Sequence, residues 1–459
     1  MGEVRMMSTH SARSNRRVML TALLVVMVAL GGCSTVKKTF GFGEAPKPKV
    51  RGDRVSVLSL EQKLEADPNL KQTEVKLPPP YVNADWPEPG GYANHAMYHL
   101  EVGDNLKRAW RTSVGTGAGS RTQIMAPPVV AEGKVFALDA ECQVTAVDAK
   151  TGKRLWRKDL TPRHQDGDAG FGGGVAYDKG RLFVTTGFGR VHALDAKDGT
   201  QIWDKALTIP FHSAPTANGG RVFATTQDNQ LHVLAQDDGR ELWTYQGIVE
   251  QSSLLSGTSP AVQGEVVIAP FSSGELYAFR VQNGATAWTD SLTRTGLMTS
   301  METINDIAGR PVIDRDRVYA ISHAGRLVAI DMRSGERIWT RDVSGVQTPW
   351  IAGDYLYVVS SDAELLCINA LDGHIRWLTQ LERFGRPREK KNPIAWSGPV
   401  LAGNRLVLLS SRGRAVSVSP YTGEILGEIK ISDGTYAPPV VADGTLYILT
   451  QDAELTALR

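Results

Sequence analysis

Short apolar runs separated by tight turns recur along most of this chain. The segment from Pro127 to Leu160 holds four such runs, rich in Val, Leu, Ala and aromatic residues, with turns at Glu132-Gly133, Glu141-Cys142 and Thr151-Gly152 between them. Runs so closely spaced are typical of antiparallel strands joined by hairpins. Because the repeats carry no sustained helical period, the pattern predicts four-stranded antiparallel sheets.

The unit returns along the chain, marked by a turn glycine that tryptophan follows four residues later. Successive turn glycines are 38 to 51 residues apart, and the seventh has Gly427 at the tryptophan position. A period of about 40 to 50 residues is typical of propeller blades. The turn glycines are Gly152, Gly199, Gly239, Gly284, Gly335, Gly373 and Gly423, and the tryptophans that follow them are Trp156, Trp203, Trp243, Trp288, Trp339 and Trp377.

The eighth unit is divided between two distant parts of the chain. Residues 436–459 supply three strands, and residues 106–114 supply a fourth strand that carries Trp110. An open ring would expose unpaired strand edges, which invite aggregation. We therefore predict an all-β fold over residues 106–459: an eight-bladed β-propeller of four-stranded antiparallel blades, closed by an N-terminal strand that completes the last blade.

The seven tryptophans of the repeat are expected to pack the blades against one another. Burying one indole removes about 150 to 250 Å² from water, which contributes on the order of 4 to 6 kcal/mol before entropy is subtracted. The alternative is a row of exposed rings that stack on sugars or bases. Gly427, which lacks the indole, predicts looser packing beside blade seven.

The start of the chain has a different composition. Arg13, Arg16 and Arg17 precede an apolar run of 13 residues at 18–30, and Cys33 follows soon after. A bilayer core of about 30 Å needs a longer helix, whereas a signal-peptide core is of this length. We expect a signal peptide at residues 1–32; an uncleaved anchor is the alternative.

Residues 33–105 carry no repeat and are expected to form a lipidated tether followed by an extended segment. Residues 55–70 suit a short helix that ends before Pro68. Beyond it, Tyr81 and Trp86 are expected to lie against the propeller.

Candidate chemistry is sparse. The net charge is +2 and the basic residues are interspersed with acidic ones, which disfavours nucleic-acid binding. His95 and His99 have the spacing of two ligands but no third ligand nearby, so no metal site is expected. Cys142 and Cys367 fall in blades that are not neighbours, so no disulfide is expected.

The phrase Asp-Ala-x-x-Gly-x-x-x-Trp, as in residues 148–156, resembles the repeat of quinoprotein alcohol dehydrogenases. That resemblance implies the eight-bladed fold. Those enzymes place a pair of adjacent cysteines against their quinone, and this chain has no adjacent cysteines. Neither a cofactor nor a catalytic residue is therefore expected, and a quinone-dependent dehydrogenase or a lipid-anchored ligand-binding propeller stays as the alternative.

Together with the Leu30-Gly31-Gly32-Cys33 sequence, which resembles a lipobox, the chain resembles the BamB family of the outer-membrane β-barrel assembly machinery. The resemblance implies a non-catalytic scaffold, lipid-anchored at Cys33 on the periplasmic face of the outer membrane. It also implies binding to the POTRA domains of BamA and to other assembly subunits, and contact with unfolded outer-membrane protein clients. The long segment 34–105 resembles alphaproteobacterial members.

The loops that join blades are the expected binding surface, because they differ from repeat to repeat. By the same resemblance, Leu254, Leu255 and Asp306, in the loops at 248–260 and 293–309, fall at positions that contact BamA. The alternative is that the two leucines begin an inner strand and belong to the core. A third loop, residues 381–396, is rich in Arg and Lys and is either solvated or attracted to acidic surfaces.

Overall fold

The computed structural model describes residues 64–70, 73–250, 254, 258–293 and 304–459. Within them eight sheets have four antiparallel strands each, which confirms the predicted eight-bladed β-propeller. Each blade runs from an inner strand near the axis to an outer strand at the rim. None of the described helices is long and apolar enough to cross a membrane.

The strands follow one another outward within each blade and then from blade to blade. They are, for blade one, β2 Val129–Ala131, β3 Lys134–Leu138, β4 Gln143–Asp148 and β5 Arg154–Asp159; blade two, β6 Gly173–Asp178, β7 Arg181–Thr186, β8 Arg190–Asp195 and β9 Gln201–Ala206; blade three, β10 Thr216–Asn218, β11 Arg221–Thr225, β12 Gln230–Ala235 and β13 Glu241–Gln246; blade four, β14 Ala261–Gln263, β15 Val266–Pro270, β16 Glu275–Arg280 and β17 Thr286–Ser291; blade five, β18 Val312–Asp314, β19 Arg317–Ile321, β20 Leu327–Asp331 and β21 Arg337–Arg341; blade six, β22 Trp350–Ala352, β23 Tyr355–Val359, β24 Glu364–Asn369 and β25 Ile375–Gln380; blade seven, β28 Trp396–Ala402, β29 Arg405–Ser410, β30 Arg414–Val418 and β31 Ile425–Lys430; blade eight, β32 Val440–Ala442, β33 Thr445–Leu449, β34 Glu454–Leu458 and β1 Arg108–Ser113.

Three short 3-10 helices and one small hairpin complete the described elements. The helices span Pro68–Leu70, Gly167–Gly170 and Pro387–Glu389, and the hairpin pairs β26 Phe384–Arg386 with β27 Lys391–Pro393. The described part of the expected helix at 55–70 is not helical before Pro68; instead a turn of 3-10 helix begins there. The reason is that proline suits the first turn of a helix, where its missing N–H is not needed.

The N-terminal strand closes the ring as predicted. Strand β1 pairs antiparallel with β34, and Trp110 lies opposite Ala457. The pairing continues one residue further, since Lys107 and Arg459 exchange backbone hydrogen bonds of 2.6 and 2.9 Å. Blade eight therefore presents a complete sheet even though its strands come from distant parts of the chain.

The apolar core lies in the inner and middle strands, while the outer strands face solvent on one side. Strand β4 is buried at its four central positions, whereas β5 alternates exposed and half-buried positions. This alternation is expected of a strand that packs on one side only. Strands near the axis are therefore buried on both sides, and the outermost strand of a blade is buried on one side only.

Each of the seven tryptophans contacts the next blade in the same manner. Its indole N–H donates to a backbone carbonyl of that blade, at 2.8 to 3.3 Å, as in Trp156 to Ala196. The indole ring lies over the turn glycine of that next blade: a Cβ added at Gly199 of blade two would lie 2.7 Å from the ring of Trp156 of blade one. We call this arrangement the tryptophan clasp. It requires glycine, because the turn has a positive φ and the indole occupies the place of a side chain.

The junction between blades seven and eight has no clasp. Gly427 stands at the tryptophan position of β31, and a Cβ added there would meet nothing within 4 Å. The clasp holds the hairpin turn between the third and outer strands of the next blade, and blade eight has no such turn because β34 is followed in the sheet by β1. The missing indole therefore has a topological cause, since an indole at this position would have no turn to cover; looser packing here stays a prediction.

Residues 81–102, which we call the belt, cover one end of the propeller axis. The belt contacts the inner strands of all eight blades in ring order. The contacts are Asn83 Nδ2 to Val441 O at 2.6 Å (blade eight), Trp86 N to Val130 O at 2.7 Å (one), Tyr177 N to Pro87 O at 2.8 Å (two), Ala217 N to Glu88 Oε1 at 2.9 Å (three), Val262 N to Ala93 O at 2.7 Å (four), Ile313 N to Asn94 O at 2.9 Å (five), Trp350 Nε1 to Tyr98 O at 2.7 Å (six) and Leu100 N to Leu401 O at 3.1 Å (seven).

The belt is anchored by apolar side chains as well as by hydrogen bonds. Trp86 is 2% exposed and stacks on Trp350 with ring centroids 6.2 Å apart, and Met97 and Leu100 are buried in the same cluster. Tyr81 is half-buried against that cluster and pairs with Leu100. The belt therefore closes one end of the axis, which we call the belt face.

Candidate partner-binding face

The end of the propeller opposite the belt is formed by loops of unequal length. These loops join the outer strand of one blade to the inner strand of the next, whereas the belt contacts the opposite ends of the inner strands. We call this end the loop face. Because the sequence of these loops does not follow the repeat, they are the variable part of an otherwise regular ring.

The loop before blade four and the loop before blade five are joined by a hydrogen bond, and we call these two loops the loop pair. The backbone N–H of Leu254 donates to Oδ2 of Asp306 at 2.9 Å, and the N–H of His323 donates to the backbone carbonyl of Asp306, also at 2.9 Å. Two of the three residues that the family resemblance placed at contacting positions are thus neighbours in space. Leu255, the third, lies outside the described residues.

Asp306 is positioned as a support for the loops. Its side chain is buried, with 2% of the residue exposed. Burial raises the pKa of its carboxyl group to about 6, and the hydrogen bond from Leu254 opposes part of that rise. At neutral pH the carboxylate is therefore charged at a desolvation cost, and among the described residues its hydrogen-bond donor is the backbone of the neighbouring loop.

Leu254 lies before the inner strand β14, which begins at Ala261, and its side chain is half-buried. The alternative placement of Leu254 inside the inner strand is therefore wrong. Two further apolar side chains stand in the same loop: Ile248 is 56% exposed and Val249 is 61% exposed. Sequence reasoning did not select them, although both are visible in the run IVEQSSLL, because an apolar pair directly after a strand also fits a buried strand end.

The basic loop between blades six and seven forms a protruding hairpin. Strands β26 and β27 pair through Phe384 and Pro393, and the turn between them is exposed. Part of its positive charge is paired: Arg383 contacts Asp362, and Lys391 lies 3.3 Å from Glu389. The basic loop is thus an ordered hairpin with excess positive charge.

A cavity of about 480 Å³ opens on the loop face, near the axis. Its lining comes from the loops before blades one, four, five, six, seven and eight and from turns between the two middle strands of blades five to seven. The residues that line it include Met125, Leu254, Arg310, Gln347, Thr348, Ser360, Ile394 and Trp396. Leu254 therefore belongs both to the loop pair and to the wall of this cavity.

The histidines and cysteines singled out in the sequence have structural surroundings. His95 Nδ1 lies 2.8 Å from the carbonyl of Pro311, and His99 Nδ1 lies 2.8 Å from that of Pro78. No group of three or more His, Cys, Asp and Glu able to hold a metal ion occurs in the described part of the chain. Cys142 is free and buried, and burial raises the pKa of its thiol to about 12; Cys367 is also free and buried.

Comparison with known proteins adds sequence relatives. A family model described as outer membrane protein assembly factor BamB matches residues 140–379 and 383–459. The chain is 31% identical over 355 residues to the outer membrane protein assembly factor BamB of Salmonella typhimurium, covering 76% of this chain and 88% of that protein. It is 35% identical over 362 residues to the protein of that name from Alkalilimnicola ehrlichii, covering 78% and 90%.

Solved structures show where else the fold occurs. BamB from Moraxella catarrhalis superposes with a TM-score of 0.64 at 18% identity, covering 77% of this chain and 100% of that chain. A europium-containing methanol dehydrogenase superposes with a TM-score of 0.65 at 16% identity, covering 79% and 89%. At such identities these likenesses show a shared fold and carry no information on chemistry.

Proposed function

Since the chain belongs to the family of outer membrane protein assembly factors named BamB, we propose that its loop face binds the POTRA domains of BamA and so orients the barrel for its clients. The protein is a non-catalytic assembly factor associated with the outer membrane, and its partners are subunits of the assembly machinery. The finer proposal concerns which surface is used and which subunit it meets.

The observation that carries the proposal is the Leu254–Asp306 hydrogen bond. It joins two loops of adjacent blades, and Ile248 and Val249 stand exposed beside them. Exposed apolar residues clustered on a soluble domain favour protein binding. Asp306, being buried, supports the surface by holding Leu254 in place.

The test measures binding of the purified BamA periplasmic domains to the propeller, by surface plasmon resonance. We expect Leu254→Glu and Ile248→Glu each to weaken binding at least tenfold, because a carboxylate in an apolar contact must be desolvated. Leu426→Glu is the matched control: Leu426 has the same 56% exposure as Ile248 but stands on the outer strand of blade seven. It should bind like the wild type.

Equal binding by the Leu254→Glu, Ile248→Glu and Leu426→Glu proteins would show that the loop pair is not the contact surface. Binding lost by Leu426→Glu alone would move the contact to the rim of the propeller. Thermal unfolding of each variant separates loss of contact from loss of fold.

We further propose that Cys33 is lipidated and anchors the protein at the periplasmic face. The support is the apolar run at 18–30 followed by the lipobox-like sequence. Incorporation of labelled palmitate into the wild-type protein and its loss in Cys33→Ser is the expected result. Equal labelling of both proteins would contradict the anchor.

A further inference from the structure

The axial cavity ends on a buried positive charge. Arg310 lies in its wall and is 7% exposed. Its Nε donates to Oγ of Ser259 at 3.1 Å, and among the described residues no carboxylate forms an ion pair with its guanidinium. Among the described residues only its Nε has a hydrogen-bond partner, so the remaining guanidinium N–H groups can donate to an anion in the cavity.

The belt supplies two buried groups that interact electrostatically with Arg310, namely Glu88 and His95. Glu88 accepts the N–H of Ala217 through Oε1, while its Oε2 is buried without a hydrogen-bond partner. Burial raises the pKa of Glu88 well above its ordinary value, and the charge of Arg310 opposes part of that rise; burial and the same charge lower the pKa of His95 to about 3. Burial lowers the pKa of Arg310 only to about 10, which leaves the guanidinium charged at neutral pH.

The lining of the cavity combines apolar and polar side chains. Ile394 and Trp396 come from the loop before blade seven and its inner strand, and Gln347 and Thr348 come from the loop before blade six. A volume of about 480 Å³ lies within the range of small-molecule sites. An apolar wall with a single buried cation at its end is complementary to an amphipathic anion.

We propose that the axial cavity binds organic carboxylates with an apolar body, holding the carboxylate on Arg310 and the body against Ile394 and Trp396. Such a group occurs at the free C-terminus of a peptide that ends in an apolar residue, and in small organic acids. The site goes beyond partner binding by the loop face. It shares Leu254 with the loop pair.

Isothermal titration calorimetry on the whole propeller tests the site with three probes: N-acetylphenylalanine, its amide, and hexanoate. The acid should bind at least tenfold more tightly than the amide, because hydrogen bonds to charged groups contribute about 1.5 to 3 kcal/mol. Tighter binding of N-acetylphenylalanine than of hexanoate assigns the site to a peptide C-terminus, and the reverse order assigns it to small organic acids.

Arg310→Gln should abolish the preference for the acid over the amide. Arg317→Gln is the matched control. Arg317 begins strand β19 of the same blade and donates to the carbonyl of Ala370, outside the cavity. If Arg310→Gln does not fold, Thr348→Trp serves instead, because it fills the cavity and leaves Arg310 in place. Loss of acid binding in Thr348→Trp supports the site.

Three results would each overturn the proposal. They are equal affinity of the wild type for the acid and the amide, a preference for the acid that persists in Arg310→Gln, and retained acid binding in Thr348→Trp. The proposal would also be overturned if none of the three probes bound measurably to the wild type.

Discussion

The two ends of the propeller both depart from the repeat, but they use the departure differently. On the belt face, residues 81–102 form hydrogen bonds with every inner strand and bury Trp86. On the loop face, Ile248 and Val249 remain exposed and the axial cavity stays open. One end is closed by non-repeating sequence that stabilises the ring, and the other exposes non-repeating sequence for binding.

The difference teaches where substitutions should cost stability and where they should cost function. Buried apolar area and satisfied backbone groups contribute to the free energy of unfolding, whereas exposed loop side chains contribute little to it. Substitutions on the belt face should therefore unfold the protein more readily, and substitutions on the loop face should change binding.

Trp86→Ala is expected to have the largest effect, a loss of about 3 to 5 kcal/mol in the free energy of unfolding, because it opens a cavity beneath the belt. Urea unfolding followed by circular dichroism measures it. Tyr92→Ala is the control, since Tyr92 is also in the belt but is 38% exposed, and it should cost less than about 1 kcal/mol. Similar costs for the two substitutions would contradict a closed belt face.

Gly199→Ala should cost about 2 to 4 kcal/mol, because the new Cβ meets the indole of Trp156 and the turn has a positive φ. Gly133→Ala is the matched control: its φ is +69° and its Cβ would meet nothing within 4 Å. Urea unfolding of both variants separates steric contact from backbone strain. If the two variants were equally stable, the clasp would contribute nothing beyond the turn.

Asp306→Asn sharpens the comparison on the loop face through pH. The folded-state pKa of about 6 lies above the ordinary 3.8, so the stabilising contribution of the protonated carboxyl is complete below about pH 4 and is lost as pH rises to about 6. Relative to wild type, the variant should gain on the order of 2 to 3 kcal/mol between pH 4 and pH 7. Urea unfolding across that range checks this, and a difference that does not change with pH would contradict burial of the charge.

Ile248→Ser combined with Val249→Ser should have the smallest effect, within about 0.5 kcal/mol per residue, because both side chains already face solvent. The same unfolding measurement applies. A loss above about 2 kcal/mol would show that these side chains are packed in the fold, and the contrast between the two faces would then fail.

Much of the fold was predictable because the same pattern of turns and apolar runs recurs in every blade. The turn glycines, the tryptophans and the period-two runs gave the number of blades and the closing strand β1. The clasp itself was only half predictable: the sequence places Trp156 and Gly199 in successive repeats, but their contact depends on the rotation between neighbouring blades. Gly427 illustrates this limit, since its missing indole makes sense only once blade eight is known to lack the turn.

The candidate site was less predictable. Leu254 and Asp306 were selected by resemblance to a family, and their hydrogen bond joins positions 52 residues apart. Ile248 and Val249 were passed over because sequence alone does not distinguish an exposed apolar pair from the end of a buried strand.

By itself the sequence determined a closed ring of eight antiparallel blades, because each repeat holds four short strands and the eighth unit is completed only when residues 106–114 pair with the end of the chain. Only the tertiary structure decided the course of the belt, the Leu254–Asp306 contact and the placement of Arg310 at the end of the axial cavity. The belt is held largely by backbone hydrogen bonds, which nearly every residue can form, so its path leaves little trace in residue types. The cavity and the loop pair arise where segments far apart in the chain meet near the axis, and no local pattern records such a meeting.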